Sequence, residues 1–119
     1  MNIETLRDYC LQKPATEETM PFGDDTLVFK VGGKMFLLVS LKEANRFNVK
    51  CDPDLAIELR ESYSEVQPGF HMNKTHWNTV YFDGSLTDKQ LQEMIDHSYE
   101  RIVKSLPKKM QEALPKKGR

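Results

Sequence analysis

Two consecutive glycines, Gly32-Gly33, lie between two β-type segments and constrain the fold more than any other feature of the chain. Apolar residues alternate in the segment before the glycines, and the segment that follows, Met35 to Leu41, is mostly apolar. Both central residues of a type I′ turn need positive φ angles, which glycine adopts without steric cost. We therefore predict a β-hairpin whose second strand is central in an antiparallel sheet. The alternating apolar positions of its first strand are Leu27, Phe29 and Val31.

The segment that follows the hairpin predicts a half-buried strand. Apolar side chains alternate there with polar ones, and in a strand successive side chains point to opposite faces of the sheet. One set should therefore be buried and the other exposed to water. The buried set is Phe47, Val49 and Cys51, and the exposed set is Arg46, Asn48 and Lys50. Trp77 to Phe82 is predicted as the last strand.

Three segments carry signals that begin a helix. Asn2 can cap a first helix, and Asp52 can cap a second with Pro53 at its first position, where the missing N–H costs nothing. Thr87 and Gln90 form a capping box for the last helix. The predicted buried stripe of the second helix is Leu55, Leu59 and Tyr63. Pro107 is predicted to end the last helix or to begin a new turn.

The length and composition indicate a single small globular domain. The chain has 119 residues, of which 39% are hydrophobic and 29% are charged. No apolar run is long enough to span a membrane, and the first residues lack the pattern of a signal peptide. Two cysteines do not indicate a disulfide framework, so we expect the protein in the reducing cytoplasm. We also expect a monomer.

Charge is segregated along the chain, although the net charge is only −1. Residues 26–51 carry five basic residues against Glu43, and residues 101–119 carry seven against Glu112. Acidic residues concentrate in the helical segments. Because local charge decides which partners a surface attracts, the strands are the candidate basic surface. We predict a domain over residues 1–109 and a basic tail over residues 110–119.

The residue types that carry catalysis or bind metals show no known spacing. The histidines lie five and twenty-one residues apart in the sequence and the cysteines forty-one apart, whereas zinc sites usually have closely spaced ligand pairs. Gly32-Gly33-Lys34 lacks the remaining residues of a phosphate-binding loop. We therefore expect no cofactor, no metal and no enzymatic activity. The residues considered were His71, His76, His97, Cys10 and Cys51.

The exposed polar and basic residues are compatible with two binding hypotheses. The exposed strand side chains and the polar loop before Trp77 could contact the phosphates and bases of a nucleic acid. The residues concerned are Lys30, Lys34, Arg46, Asn48, Lys50, Asn73, Lys74, His76 and Asn78. Lysine is also common on exposed strands for solubility alone. The alternative is a protein- or small-ligand-binding module built around the His71–Trp77 loop, with His71, Asn73, His76 and Trp77 as its contacts.

Several motifs in consistent order resemble the MmcQ/YjbR family of small bacterial proteins. They are Leu27–Phe36, Asn48–Pro53, Pro68–Lys74, His76–Val80, Asp83–Leu86 and Ile95–Tyr99. Phe70 stands where tyrosine is common in that family, which removes one hydroxyl.

The resemblance implies an α+β fold of the CyaY-like type, a two-layer sandwich in which helices cover an antiparallel sheet of about five to six strands. It also implies two β-hairpin wings, for which a role in DNA binding has been suggested. We therefore expect a non-enzymatic protein that binds double-stranded DNA through basic hairpin surfaces and has no membrane association.

Overall fold

The alternating apolar segments form a six-stranded antiparallel sheet in the computed structural model, which describes residues 1–114. The spatial order of the strands is β1-β2-β3-β4-β6-β5, and the sheet is open. The strands are β1 Thr16–Thr19, β2 Thr26–Val31, β3 Lys34–Ser40, β4 Arg46–Lys50, β5 Val66–Pro68 and β6 Trp77–Tyr81. The predicted α+β class with an antiparallel sheet is confirmed.

Helices begin where the capping signals predicted. The Asn2 side chain accepts a hydrogen bond from the backbone N–H of Thr5 at 2.8 Å, and Thr87 and Gln90 form the expected capping box. Within residues 1–114 there are four helices, one more than predicted, because a short helix begins after Pro107. They are α1 Ile3–Leu11, α2 Pro53–Ser62, α3 Asp88–Ser105 and α4 Lys108–Ala113. None of the four has the length and hydropathy of a membrane-spanning helix.

The central hairpin has the predicted turn and one feature that was not predicted. Gly32 and Gly33 have φ angles of 59° and 80°, as a type I′ turn requires. The register then shifts, because Phe29 pairs with Leu37 while Lys30 pairs with Met35. Phe36 is therefore the extra residue of a β-bulge, and both it and Leu37 are buried in the core.

The core lies between the helices and one face of the sheet. Leu6 and Cys10 of α1 and the apolar stripe of α3 pack against the alternate residues of β2, β3, β4 and β6. The phenyl ring of Phe36 meets the ring of Tyr99 edge to face, with centroids 5.3 Å apart. The opposite face, which we call the open face, carries no helix. Phe47 and Val49 of β4 are buried as predicted, whereas Arg46, Asn48 and Lys50, which were expected to be exposed, are half-buried.

Buried polar contacts attach α3 to the sheet and to the segment that follows α1. The Ser98 hydroxyl, which is fully buried, donates to the carbonyl of Phe36 at 2.6 Å and accepts from the backbone N–H of Lys50 at 2.8 Å. It therefore bridges β3 and β4 at the bulge. The Asp96 carboxylate pairs with the ammonium of Lys13, which is 9% exposed.

Two edge strands have no signal in the sequence, and one predicted apolar stripe needs correction. Residues 16–19 and 66–68 form these edge strands by pairing with β2 and β6. The predicted buried stripe of α2 is only half-buried, because a cavity separates it from α3. Part of the predicted tail folds as α4. Residues 115–119 of that tail lie outside the described residues.

The bridging hydroxyl of Ser98 leads to a prediction about stability. Ser98→Ala should lower the free energy of unfolding by about 2 kcal/mol, because it leaves a buried N–H and a buried carbonyl without partners. Ser105→Ala on the exposed end of the same helix is the control and should change it by less than about 0.5 kcal/mol. Chemical denaturation of both variants measures the difference. Equal effects would show that the bridge does not stabilise the fold.

Candidate functional site

The open face has a row of side chains that crosses all six strands in register. Its centre is polar, since Asn48 of β4 lies opposite Thr79 of β6. The flank toward the hairpin is apolar, where Val28 pairs with Leu38. From edge to edge the row consists of Thr19, Val28, Leu38, Asn48, Thr79 and Gln67.

Asn48 and Thr79 hold the loop over residues 69–76 against the open face. The Thr79 hydroxyl donates to the Asn48 side-chain oxygen at 2.5 Å and accepts from the backbone N–H of Phe70 at 2.8 Å. The Asn48 amide donates to the carbonyl of Phe70 at 3.2 Å. Both backbone groups of Phe70 are thus bound by the sheet. Its ring remains 53% exposed, so the loop presents an aromatic side chain at a defined position.

A groove of about 540 Å³ lies on the open face between two loops. Phe22 of the β1–β2 loop lines it from one side, and Phe70, His71 and Met72 line it from the other. Phe22 is 64% exposed, so the groove has exposed aromatic rings from both loops. The remaining lining residues are Thr26, Met35, Leu38, Val39, Ser40, Glu43, Arg46, Phe47 and Asn48.

Arg46 is held between aromatic rings at one end of this groove. Its guanidinium carbon lies 5.9 Å from the ring centroid of Phe70 and 5.5 Å from that of Tyr81, its cross-strand partner. Such distances allow cation–π attraction. The guanidinium also donates to the Asn45 side chain at 3.1 Å and lies 3.7 Å from the Glu43 carboxylate. Part of its charge is therefore balanced within the protein.

The other predicted strand cations divide between the two faces. Lys30 and Lys50 alternate with core residues, which places them on the open face, where Lys50 pairs with Trp77. Lys30 lies opposite Glu17 of β1, so a carboxylate is its neighbour. Lys34 lies instead on the helix side, because its ammonium is 3.4 Å from both oxygens of Ser105 at the end of α3.

The polar residues predicted around Trp77 also differ in position. Asn73 is exposed, but its side chain accepts from the backbone N–H of Thr75 at 2.9 Å. Lys74 is exposed and donates to the carbonyl of Gly69 at 3.0 Å. Both residues mainly shape the loop.

His76 and Asn78 lie deeper in the structure. His76 is half-buried, and its Nδ1 atom has no hydrogen-bond partner among the described residues. Asn78 is 1% exposed and accepts from the guanidinium of Arg60 at 2.7 Å, on the helix side of the sheet. Asn78 is therefore not available to a ligand on the open face.

His71 has an unusual backbone conformation at the groove. Its φ angle is 61°, in the left-handed region that costs a non-glycine residue of the order of 1 kcal/mol. Its ring packs edge to face on Phe70, with centroids 4.3 Å apart, and the residue is exposed. Backbone strain of this kind is common where a loop holds a binding side chain in position. Of the four residues in the ligand-binding alternative, His71 lines the groove.

A second cavity of about 210 Å³ lies on the helix side, between α2 and α3. Cys51 lines it, and burial raises the pKa of this thiol to about 11. Burial likewise raises the pKa of Cys10 in the core to about 12. Both thiols are therefore protonated and weakly nucleophilic at neutral pH. Within residues 1–114, no three His, Cys, Asp or Glu side chains are grouped so that they could hold a metal ion.

Sequence reasoning missed three residues that shape the open face. Thr79 and Tyr81 follow Trp77 at alternate positions of β6, so the period of two could have assigned them to one face. Their pairing with β4 has no local signal. Phe22 is followed by Gly23 and two acidic residues, and no pattern in the sequence indicates that its loop borders the groove.

The Thr79 hydroxyl provides a test of the loop attachment. Thr79→Val keeps the shape of the side chain but removes two hydrogen bonds, so we expect about 1–3 kcal/mol less stability. We also expect faster hydrogen exchange at the Phe70 amide. Thr79→Ser retains the hydroxyl and should cost only the packing of a methyl group, about 1 kcal/mol. Slow exchange at Phe70 in the valine variant would contradict the attachment.

The position of His97, which lines the second cavity, leads us to predict that the stability of the fold depends on pH. Burial lowers the pKa of His97, with Arg101 adding to the effect, and its Nε2 atom accepts from the backbone N–H of Asp52 at 3.1 Å. The folded protein then binds a proton less readily than the unfolded chain. The contribution of His97 to stability is present above about pH 6.5 and is lost as the pH falls through the lowered pKa. The other charged groups around His97 are Asp52, Glu100 and Lys104.

Urea denaturation at several pH values between about 7 and 5 measures how the free energy of unfolding changes with pH. Ordinary carboxyl groups titrate below this interval. The wild type should lose stability over that interval, whereas His97→Gln should show a flatter profile. Identical slopes would contradict the assignment.

The chain matches a family profile, sequence relatives and solved structures over most of its length. Residues 11–101 match the profile of the YjbR family. The chain is 39% identical over 116 residues to the Escherichia coli K12 protein YjbR, described as uncharacterized, and the match covers 96% of this chain and 98% of that protein. A Deinococcus radiodurans protein with a DUF419 domain superposes with a TM-score of 0.87 at 36% identity, covering 92% of this chain and 85% of that one.

A Pseudomonas syringae protein also superposes, with a TM-score of 0.74 at 26% identity, covering 86% of this chain and 99% of that one. The family match spans most of the chain, and the identity to the Escherichia coli protein extends over nearly its whole length. The chain therefore belongs to the YjbR family.

Proposed function

We propose that the protein is a non-enzymatic DNA-binding protein that contacts its ligand through the open face of the sheet. One observation supports this above the others. The two cations of β4 each pair in register with an aromatic residue of β6, Arg46 with Tyr81 and Lys50 with Trp77. A sheet face without a helix, on which cations pair with aromatic residues, is suited to a polymer that has both phosphates and bases.

The spacing of these pairs fits contacts with an extended backbone. Arg46 and Lys50 are four residue steps apart in an extended strand, which is about 13 Å. Asn48 lies between them in β4, and Lys30 adds a third open-face cation across the sheet. Lys74 provides a further ammonium group in the exposed loop. We exclude Lys34 of β3 from this surface because its ammonium lies beside Ser105 at the end of α3, on the helix side of the sheet.

Neighbouring carboxylates should keep the attraction moderate. Glu43 lies near Arg46, Glu17 lies opposite Lys30, and the net charge of the chain is −1. A protein with this balance should bind phosphates with modest affinity and a measurable dependence on salt. Polar and aromatic contacts would then have to supply much of the binding free energy.

The groove also supports a second candidate function, the binding of a protein segment or a small ligand. Its apolar floor includes Met35 and Leu38, and its aromatic borders include Phe22 and Phe70. Clefts with an apolar lining and a few polar groups are typical ligand sites. Such binding would depend little on salt, which separates it from binding to DNA.

Titration of labelled DNA at several salt concentrations tests the proposal. For three to four phosphate contacts, log K should fall with log salt with a slope between about −2 and −4. The double variant Lys30→Glu/Lys50→Glu should weaken binding about tenfold or more and reduce that slope by about 2. A flat salt dependence would contradict the proposal and leave the second candidate.

Two controls, of which the first is matched in charge, separate the effect of the open face from that of the net charge. Lys89→Glu/Lys104→Glu makes the same change in charge at exposed positions of α3, on the covered side. Lys34→Glu reverses the cation that lies beside Ser105. Both should bind DNA nearly as well as the wild type. If they lose as much affinity as the open-face variant, the binding reflects overall charge and not this surface.

A further inference from the structure

The aromatic side chains of the open face carry an inference about which form of DNA is bound. Phe22 and Phe70 border the groove with more than half of their surfaces exposed. Exposed rings of this size cost solubility, and an intact duplex gives them little to contact, because its bases are already stacked on one another. A single strand offers free base faces that stack on aromatic rings.

The shape of the open face also favours a single strand over a duplex. Reading a duplex through its major groove requires a protruding helix or a two-stranded ribbon that can enter the groove. Here the aromatic and polar side chains line a recess of about 540 Å³ between two loops. A recess accepts a base that is unstacked from its neighbours, whereas the outer surface of a duplex could reach only its rim.

The loop that borders the recess is already fixed in position. Asn48 and Thr79 bind both backbone groups of Phe70, and His71 is held with a φ angle of 61° against its ring. A side chain held in this way loses little conformational freedom when a base stacks on it. The Arg46 guanidinium, next to the same ring, adds a planar cation that can also stack on a base.

We propose that the groove binds single-stranded polynucleotide in preference to duplex, with bases stacking on Phe22 and Phe70 and phosphates contacting Lys30 and Lys50. The inference rests on the proposed function, since it names the strand form that the same face takes. Because carboxylates balance two of the nearby cations, stacking should supply a larger share of the affinity than ionic contacts do.

Fluorescence anisotropy with the wild-type protein compares three probes at each of several salt concentrations. They are an oligodeoxythymidine of about 12 nucleotides, an oligouridine of equal length and a duplex of equal length. We expect the oligodeoxythymidine to bind at least about tenfold more tightly than the duplex. The oligouridine decides whether DNA or RNA is the better source of the same chemistry. Equal or tighter binding of the duplex would overturn the inference.

Variants that remove a ring but keep an apolar side chain test the stacking. Phe22→Leu and Phe70→Leu should each weaken binding to the single strand by roughly 5- to 150-fold, while the salt slope stays unchanged because no charge is lost. Ile57→Ala, at a residue of α2 that is 52% exposed, is the control and should have no effect. Unchanged affinity in both leucine variants would overturn the inference.

The two proposals fail in different ways. If none of the three probes binds with a salt dependence, the proposed function fails together with the inference. If the duplex binds best and Lys30→Glu/Lys50→Glu abolishes that binding, the proposed function stands and the single-strand inference is wrong.

Discussion

The one-sided packing of helices on the sheet is the constraint on which the remaining structure depends. A strand with alternating apolar side chains has one face to bury, and α1 and α3 bury it. The Ser98 hydroxyl secures this packing by joining the bulge at Phe36 to the end of β4. The other face is left without a helix, although side chains on it such as Val28 and Thr79 are still buried. The groove between the two loops is the part of this face that is available for binding.

The open face gains its character from hydrogen bonds more than from charge. Asn48 and Thr79 fasten the Phe70 loop to the sheet, and this places an exposed aromatic ring beside Arg46. The cations themselves are partly balanced by Glu17 and Glu43. A surface that relied on phosphate attraction alone would carry unopposed lysines. The present arrangement instead favours a ligand with both an anionic backbone and flat apolar groups.

Much of the fold could be predicted from local sequence because the relevant signals are local. The turn at Gly32-Gly33 depends on the φ angles of two residues, and the helix starts at Asn2 and Thr87 depend on hydrogen bonds within one turn. The alternation in β4 also correctly assigned its buried side chains.

The remaining features depend on contacts between distant parts of the chain. Edge strands β1 and β5 are short and polar or contain proline, and only their partners make them strands. Lys34 lies on the helix side, beside Ser105, because the bulge at Phe36 shifts the alternation of β3 by one residue. Asn78 is buried because Arg60 of α2 reaches it. None of these contacts has a periodic signature, so the composition of the binding face could be predicted only in part.

Chemical-shift mapping tests most directly whether the open face binds nucleic acid. An isotopically labelled sample of the full chain would be titrated with single-stranded DNA while its amide resonances are followed. The account predicts that the largest shifts fall on residues 46–50, 70–72 and 77–81 and on the loop that contains Phe22, and that the exposed side of α3 stays unperturbed. Shifts concentrated on α2 and α3, or no shifts at all, would contradict it.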